Sequence, residues 1–303
     1  MIQRNTHLDT PEGRARAHTE GQIYLGGQDG SNQLMPPPSN VPGSSDTTLA
    51  SVLPHITATA YLTALREGGS LPGLLEADDL GTYVVKFTGA GQGPRALVAE
   101  IVVGRLGQEL GVRVPELALI DVDPEIGRRE PDQEVQELVA ASAGLNLAMD
   151  FLPGSIGYDR SFDVPVADAS AVVWLDAYVA NVDRSRRNTN LLIWHRSLWA
   201  IDHGACLRFH HSWGDPRRFA ESAYDYSDHV LGGFGRPRDV HDALSARVTP
   251  ELLASILTDV PDAWLAPDAT RPDTQAPPDA VSARERYVEF LLTRLAAADR
   301  WLP

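Results

Sequence analysis

A lysine stands inside the apolar run Tyr83-Val84-Val85-Lys86-Phe87, and a buried ammonium is costly unless an acid meets it. The run is β-branched and aromatic, follows Gly81-Thr82, and reads as a strand. Alternation puts Val84 and Lys86 on one face and Tyr83, Val85 and Phe87 on the other. After a loop over residues 89–94, Pro94 opens a helix at its first position. Leu97, Val98, Ile101, Val102, Leu106 and Leu110 keep helical spacing in it until Gly111. Glu100 lies in that helix. Two readings follow. Either the strand packs on the helix so that Lys86 meets Glu100, a pair able to aim an ammonium at nucleotide phosphates, or Lys86 snorkels from an edge strand while Glu100 is solvated.

Further along, residues 112–122 read as a strand that Pro115 pushes toward a sheet edge, and residues 145–152 form a third apolar run closed by Pro153-Gly154. Asp168 is expected to cap a helix over residues 169–180. Leu191 to Trp194 and Leu198 to Ile201 flank His195-Arg196-Ser197 as a hairpin, and residues 250–257 and 282–302 read as helices. Strands thus dominate the first half and helices the second. The expected class is α+β with two lobes: a strand-rich lobe over 47–150 and a mainly helical lobe over 151–303. Residues 1–46 mix Gly, Ser, Pro, Asn and Gln without an apolar period and read as a disordered tail. Residues 267–278 read as a linker.

Composition narrows the function. With 26 basic and 41 acidic side chains, the net charge of -15 argues against a general nucleic-acid or membrane-surface binder. One cysteine, Cys206, excludes an intramolecular disulfide and any multi-cysteine metal site. No apolar run approaches the ~20 residues that span a bilayer, and residues 1–10 lack the apolar stretch of a secretory signal. A cytoplasmic setting is expected.

Three further islands bear on chemistry. Gly68-Gly69-Ser70-Leu71-Pro72-Gly73 is a loop that can bring backbone N–H groups to an anion, and equally an ordinary turn. In residues 181–190, Asp183 and Asn188 are five positions apart, and Ile201-Asp202-His203-Gly204 follows one hairpin later. An acid that takes a hydroxyl proton, followed by an amide and a second acid that hold magnesium, is the pattern of phosphoryl transfer. Magnesium prefers oxygen ligands, which Asn188 and Asp202 carry. Asp183 alone suits a turn as well, whereas Asp202 ends an apolar strand, where a turn does not account for a charge.

The stretches 83–100, 110–117, 181–192 and 201–204 resemble the HipA-like kinases, in particular their compact bacterial branch, and the resemblance spans roughly residues 50–212. It implies a divergent two-lobed protein-kinase fold, related in outline to phosphatidylinositol 3-kinase-like enzymes, with ATP and Mg2+ as cofactors. By this resemblance Lys86 contacts the ATP phosphates, Glu100 orients it, Asp183 is the catalytic acid/base, and Asn188 and Asp202 bind the metal. Val84 roofs the adenine, Met149, Asp150, Phe151 and Leu152 form the hinge whose backbone reads the adenine edge, and Gly68, Gly69 and Ser70 cover the phosphates. Val182 stands where ordinary protein kinases carry arginine before the catalytic aspartate, His203 replaces the Phe of Asp-Phe-Gly, and no Ala-Pro-Glu motif is present. Conventional activation-loop control therefore does not carry over. Nor do toxin activity and a DNA-binding antitoxin partner.

The expected activity is a magnesium-dependent ATP phosphotransferase acting on a protein Ser/Thr hydroxyl. The alternatives are a small-molecule phosphotransferase on the same fold and a non-catalytic nucleotide-binding regulatory module. A metal hydrolase built on Asp202, His203, His210 and His211 is a third class, although their spacing fits no standard zinc pattern. Cys206 reads as a small buried hydrophobe rather than a nucleophile. Trp194, Trp199 and Trp213 read as core. Arg184, Arg186 and Arg187 form the one dense basic spot, either a phosphate-holding cluster or a solvated loop. Ser70 is a candidate autophosphorylation site.

Overall fold

Alternating strands in the first half close on themselves. The computed structural model describes residues 53–65, 71–91, 93–267 and 275–303; the expectations for residues 1–46, for Gly68, Gly69 and Ser70, and for most of the 267–278 linker lie outside them. Strands β1 (His55–Ala64), β2 (Gly73–Ala77) and β3 (Thr82–Lys86) are followed by helix α1 (Pro94–Leu110), β4 (Leu117–Val122), α2 (Gln133–Ala141) and β5 (Gly144–Asp150). The five strands form a closed barrel in the order β1-β2-β3-β5-β4, antiparallel except where β1 runs parallel to β4.

Period-2 alternation divides the apolar residues between two cores. Val85 and Phe87 join Ala118, Ile120 and Ala148 under Val135 and Val139 of α2. Their opposite-face neighbours Val84, Leu117, Leu119, Leu147 and Met149 pack into the large core with α1. β3 is bonded on both sides, by β2 and β5, with Lys86 level with Leu147. Lys86 therefore does not sit on an edge. The edge position expected from Pro115 is also corrected: β4 is paired by both β1 and β5, because the ladder begins at Leu117 and Pro115 has no N–H to withhold from it.

Gly111 ends α1 in the left-handed conformation, φ 86°, and its N–H returns to the carbonyls of Gln108 and Gly107. Beyond Asp150 come β6 (Ile156–Gly157), α3 (Val166–Val179), β7 (Leu191–Trp194) and β8 (Ser197–Ala200), the three strands forming a small sheet in the order β6-β7-β8. The hairpin turns on His195 and Arg196, both at positive φ, as a two-residue turn matched to strand twist requires. Helices α4 (Pro216–Ala220), α5 (Pro237–Ser245), α6 (Pro250–Thr258), α7 (Asp262–Leu265), α8 (Ala280–Ala296) and α9 (Ala298–Trp301) complete the second lobe.

Two helix expectations change. α3 starts at Pro165 without a side-chain cap, and Asp168 instead lies in its first turn, 2.7 Å from Arg113 Nη1, where the helix dipole favours an acid. The long C-terminal helix breaks at Ala297, which lets Trp301 pack edge-on against Trp174 and beside Tyr178. The indole Nε1–H of Trp301 donates to the Arg294 carbonyl. Buried Arg294 in turn donates to the carbonyls of Ala177 and Tyr178. It thereby satisfies the Tyr178 carbonyl at the end of α3, where intrahelical donors run out, and adds to the long Ala180 N–H bond on the Ala177 carbonyl. The loop of residues 181–190 springs from that anchored end.

Candidate active site

Lys86 is the meeting point of the two lobes. Its ammonium is ion-paired to Glu100 Oε1 and lies 2.7 Å from Asp202 Oδ1. Glu100 is buried in α1, and its second oxygen accepts the His203 N–H at 2.9 Å. The helical face set by the spacing of Leu97, Ile101 and their neighbours thus carries one acid inward, toward β3. Burial acts to lower the Lys86 pKa, but Glu100 and Asp202 overcome it and push it up to about 12. For Asp202 burial acts upward, yet the ammonium brings it down to about 2. Glu100, fully buried, is raised by desolvation because it shares its one cation with Asp202. Asp202 adopts positive φ, 57°, a strained backbone that recurs at functional sites.

The loop after α3 is built around Asp183. Asn181 Oδ1 accepts the Asp183 N–H at 3.0 Å, and Asn188 Nδ2 donates to Asp183 Oδ2 at 3.0 Å. Asn190 Nδ2 reaches the same carboxylate oxygen at 3.3 Å and the Asp183 carbonyl at 3.4 Å. The Ile201 N–H donates to the Asn190 carbonyl at 3.1 Å, so the Asp202 strand end is tied to the Asp183 loop by backbone. With its amide nitrogen turned to Asp183, Asn188 has Oδ1 left as an oxygen donor. Together with Asp202 it offers the one or two hard oxygens, completed by phosphates, that suit magnesium.

On the same face of β3 as Lys86, Val84 pairs in register with Met149. The Asp150 and Phe151 N–H groups are committed to the carbonyls of Glu116 and Thr82. Met149 belongs to the ladder, which leaves the Leu152 N–H as the open donor of this segment.

Several features escape the sequence reading. Asn190 holds Asp183 as Asn188 does, and the repeated Asn in Asn188-Thr189-Asn190 was the available signal. Lys86 is the only lysine among the 26 lysines and arginines of the chain, a compositional mark of a site where arginine does not substitute. Arg184 corrects the expected basic cluster: it is buried, with its Nε 2.6 Å from Asp176 Oδ2, and only Arg186 and Arg187 face solvent. The histidines are engaged elsewhere. His203 Nδ1 faces Arg184 and His210 Nδ1 faces the Tyr287 hydroxyl at 2.7 Å; among the described residues no three His, Cys, Asp or Glu side chains gather to hold a metal ion. Cys206 is fully buried, and burial pushes its thiol well up, the opposite of a reactive thiolate. Trp213 is buried as expected, while Trp194 and Trp199 are half-buried against each other, centroids 5.2 Å apart.

A cavity of about 980 Å³ is bordered by Asn181, Val182 and Ser185 and extends to Arg208, Arg218 and Tyr224; Lys86 and Asp202 do not line it. Among the described residues no helix is long and apolar enough to cross a membrane.

Comparison with known proteins bears on these residues together. The HipA-like kinase family is matched over residues 60–284, a span that contains Lys86, Glu100, Asp183, Asn188 and Asp202. No curated protein sequence matches significantly. Among solved structures, the Helicobacter pylori proinflammatory kinase CtkA is similar at 15% identity and TM-score 0.47, covering 82% of this chain and 98% of its own. The Golgi casein kinase is similar at 11% identity and TM-score 0.40, covering 82% and 74% respectively. Its Mn/ADP-bound form gives 12% identity and TM-score 0.42 with the same coverage.

Proposed function

The chain belongs to the HipA-like kinase family and is therefore an ATP-dependent kinase, and we propose that it transfers the γ-phosphoryl group of magnesium-bound ATP to a Ser or Thr hydroxyl on a protein. The observation that carries the site assignment is Lys86, held between Glu100 and Asp202 from two distant parts of the chain. An ammonium has three N–H donors. Two are taken by the carboxylates, and the third is free for a phosphate oxygen.

Asp183 acts as the base. Both amides approach its Oδ2, and Oδ1 makes no hydrogen bond among the described residues, so Oδ1 receives the proton of the acceptor hydroxyl. Asn188 and Asp202 hold magnesium, which neutralises charge on the phosphates when bound. Val84 covers the adenine, and Leu152 N–H reads its edge. Catalysis on this reading is positioning and electrostatics, with little covalent work for the protein. The acidic composition and single cysteine suit a cytoplasmic enzyme.

The test is transfer from γ-labelled ATP with magnesium, comparing wild type, Asp183→Asn and Asp202→Asn. Label on the protein or on a lysate protein is expected for wild type and absent for both variants. Asp183→Asn keeps magnesium-dependent nucleotide binding; Asp202→Asn loses the tightening that magnesium gives to nucleotide binding. Transfer at the wild-type rate by both variants would overturn the assignment.

A further inference from the structure

The fully buried Asp176 of α3 accepts three hydrogen bonds: Arg184 Nε at 2.6 Å, Asn181 Nδ2 at 2.8 Å and His229 Nε2 at 3.0 Å. Those donors hold it well below the usual carboxylate range against the upward pull of burial. Arg184 spends the rest of its guanidinium on two other segments. Its Nη1 donates to the carbonyls of Asn190 and Ile201, the latter at 3.2 Å, and its Nη2 faces His203 Nδ1 at 3.3 Å. A guanidinium can only donate, so His203 Nδ1 is the acceptor of that contact. His229 is fixed in turn by accepting the Leu231 N–H at 3.1 Å. Its neighbour Asp228 accepts the Arg186 N–H at 3.1 Å, and Ser185 and His229 form a β-bridge.

Three loops therefore converge on the Arg184–Asp176 pair: the Asp183 and Asp202 loops on the arginine, and residues 226–231 on the aspartate through His229. The Glu100 contact with the His203 N–H continues the chain of bonds to Lys86. All six side chains along this line, from Lys86 through Glu100, His203, Arg184 and Asp176 to His229, are buried. Only the forked guanidinium reaches a carboxylate, two carbonyls and a ring nitrogen at once; an ammonium is a point donor.

From this geometry we propose that Arg184, seated on Asp176, is the positioning residue that sets Asp183 and Asp202 relative to each other, and that His229 couples residues 226–231 to the same seat. The proposal rests on the roles assigned to Asp183 and Asp202 above. A misplacement of about 1 Å in such a constellation costs roughly a hundredfold in rate.

The test compares wild type, Arg184→Lys and Asp183→Asn by thermal melting, by binding of a fluorescent ATP analogue with and without magnesium, and by initial rate of phosphate transfer. Arg184→Lys keeps the pair with Asp176. It is expected to fold, to bind the metal-free analogue within threefold of wild type, to lose the tightening that magnesium gives, and to transfer phosphate about a hundredfold more slowly. A lowered melting temperature with wild-type rate and wild-type magnesium effect would overturn the proposal. Were Asp183→Asn inactive and Arg184→Lys fully active, Arg184 alone would be misassigned; full activity in Asp183→Asn would strike the base assignment instead. If wild type transfers nothing, the magnesium effect on binding still decides. If Arg184→Lys does not fold, His229→Leu, which leaves the ion pair intact, carries the test. It is expected to lose at least tenfold in rate, with recovery in His229→Gln, whose amide can donate to Asp176 and accept from Leu231. Wild-type rate in His229→Leu would sink the coupling.

Discussion

Lys86 Nζ and Asp202 Oδ1 lie 2.7 Å apart although 116 positions separate them in the chain. One cation thus serves two carboxylates, and the two are not equivalent. Glu100 is nearly inaccessible, while the Asp202 side chain retains 40% exposure. Removing the shared cation strands both acids, one of them in the protein interior. Lys86→Met is therefore expected to destabilise the fold by about 3–5 kcal/mol, the range for breaking a buried pair. Glu100→Gln costs less, because Lys86 keeps Asp202, and Lys86→Met combined with Glu100→Gln recovers part of the loss. Urea unfolding of the three variants checks the order; equal losses would show that Glu100 is not an uncompensated buried charge in Lys86→Met.

The same pair has a pH signature. The Lys86 pKa is raised from its ordinary value to about 12, so the stability it contributes is fully present below about 10.5 and is lost as pH rises through 12. Asp202, lowered to about 2, contributes above about 4 and stops doing so as pH falls toward 2. Because Lys86 is the only lysine, acylation reports it without interference from other side-chain amines. At pH 10 Lys86 is expected to react far more slowly than a free lysine, and faster in Glu100→Gln, as read by mass spectrometry of its peptide. Rapid acylation of the native wild type would contradict the ion triad.

Cys206 is closed to reagents in the native state. Full burial and a raised pKa leave neither thiolate nor access. Native protein is expected to resist iodoacetamide while urea-unfolded protein reacts stoichiometrically, and Cys206→Ala should retain wild-type transfer. Rapid native alkylation that abolishes activity would reopen the thiol as a functional group.

What the sequence displayed was whatever depends on local spacing. Period 2 around Lys86, period 3.6 through Glu100, and the Asp183–Asn188 and Asp202 spacings were each legible within a short window, and the structure brings Lys86 together with Glu100 and Asp202, and Asp183 together with Asn188. Closure of the barrel was not legible, because the parallel pairing of β1 with β4 joins segments with no local signal for each other. Arg184 is the clearest case. In Arg184-Ser185-Arg186-Arg187 it looks as solvated as its neighbours, and only Asp176, eight positions before it and hidden in an apolar helix, makes it interior. The break at Ala297 likewise depends on where Arg294 and Trp301 must pack, which helical periodicity does not encode.

Asn188 and Asn190 offer a way to separate holding the base from holding the metal. Both donate to Asp183 Oδ2, at 3.0 and 3.3 Å, but only Asn188 has its carbonyl oxygen assigned to magnesium. Asn190 stays tied through its backbone carbonyl to Ile201 and Arg184, so Asn190→Ala removes a side-chain contact without releasing the loop. It is expected to slow transfer by about tenfold, the effect of losing roughly one hydrogen bond of ~1.4 kcal/mol to a charged group, with no change in the magnesium concentration needed for half-maximal rate. Asn188→Ala is expected to slow transfer further and to raise that concentration severalfold, because it loses a metal ligand as well. A magnesium titration of both variants measures the difference directly. An unchanged magnesium requirement in Asn188→Ala would remove Asn188 from the metal site while leaving it as a support for Asp183.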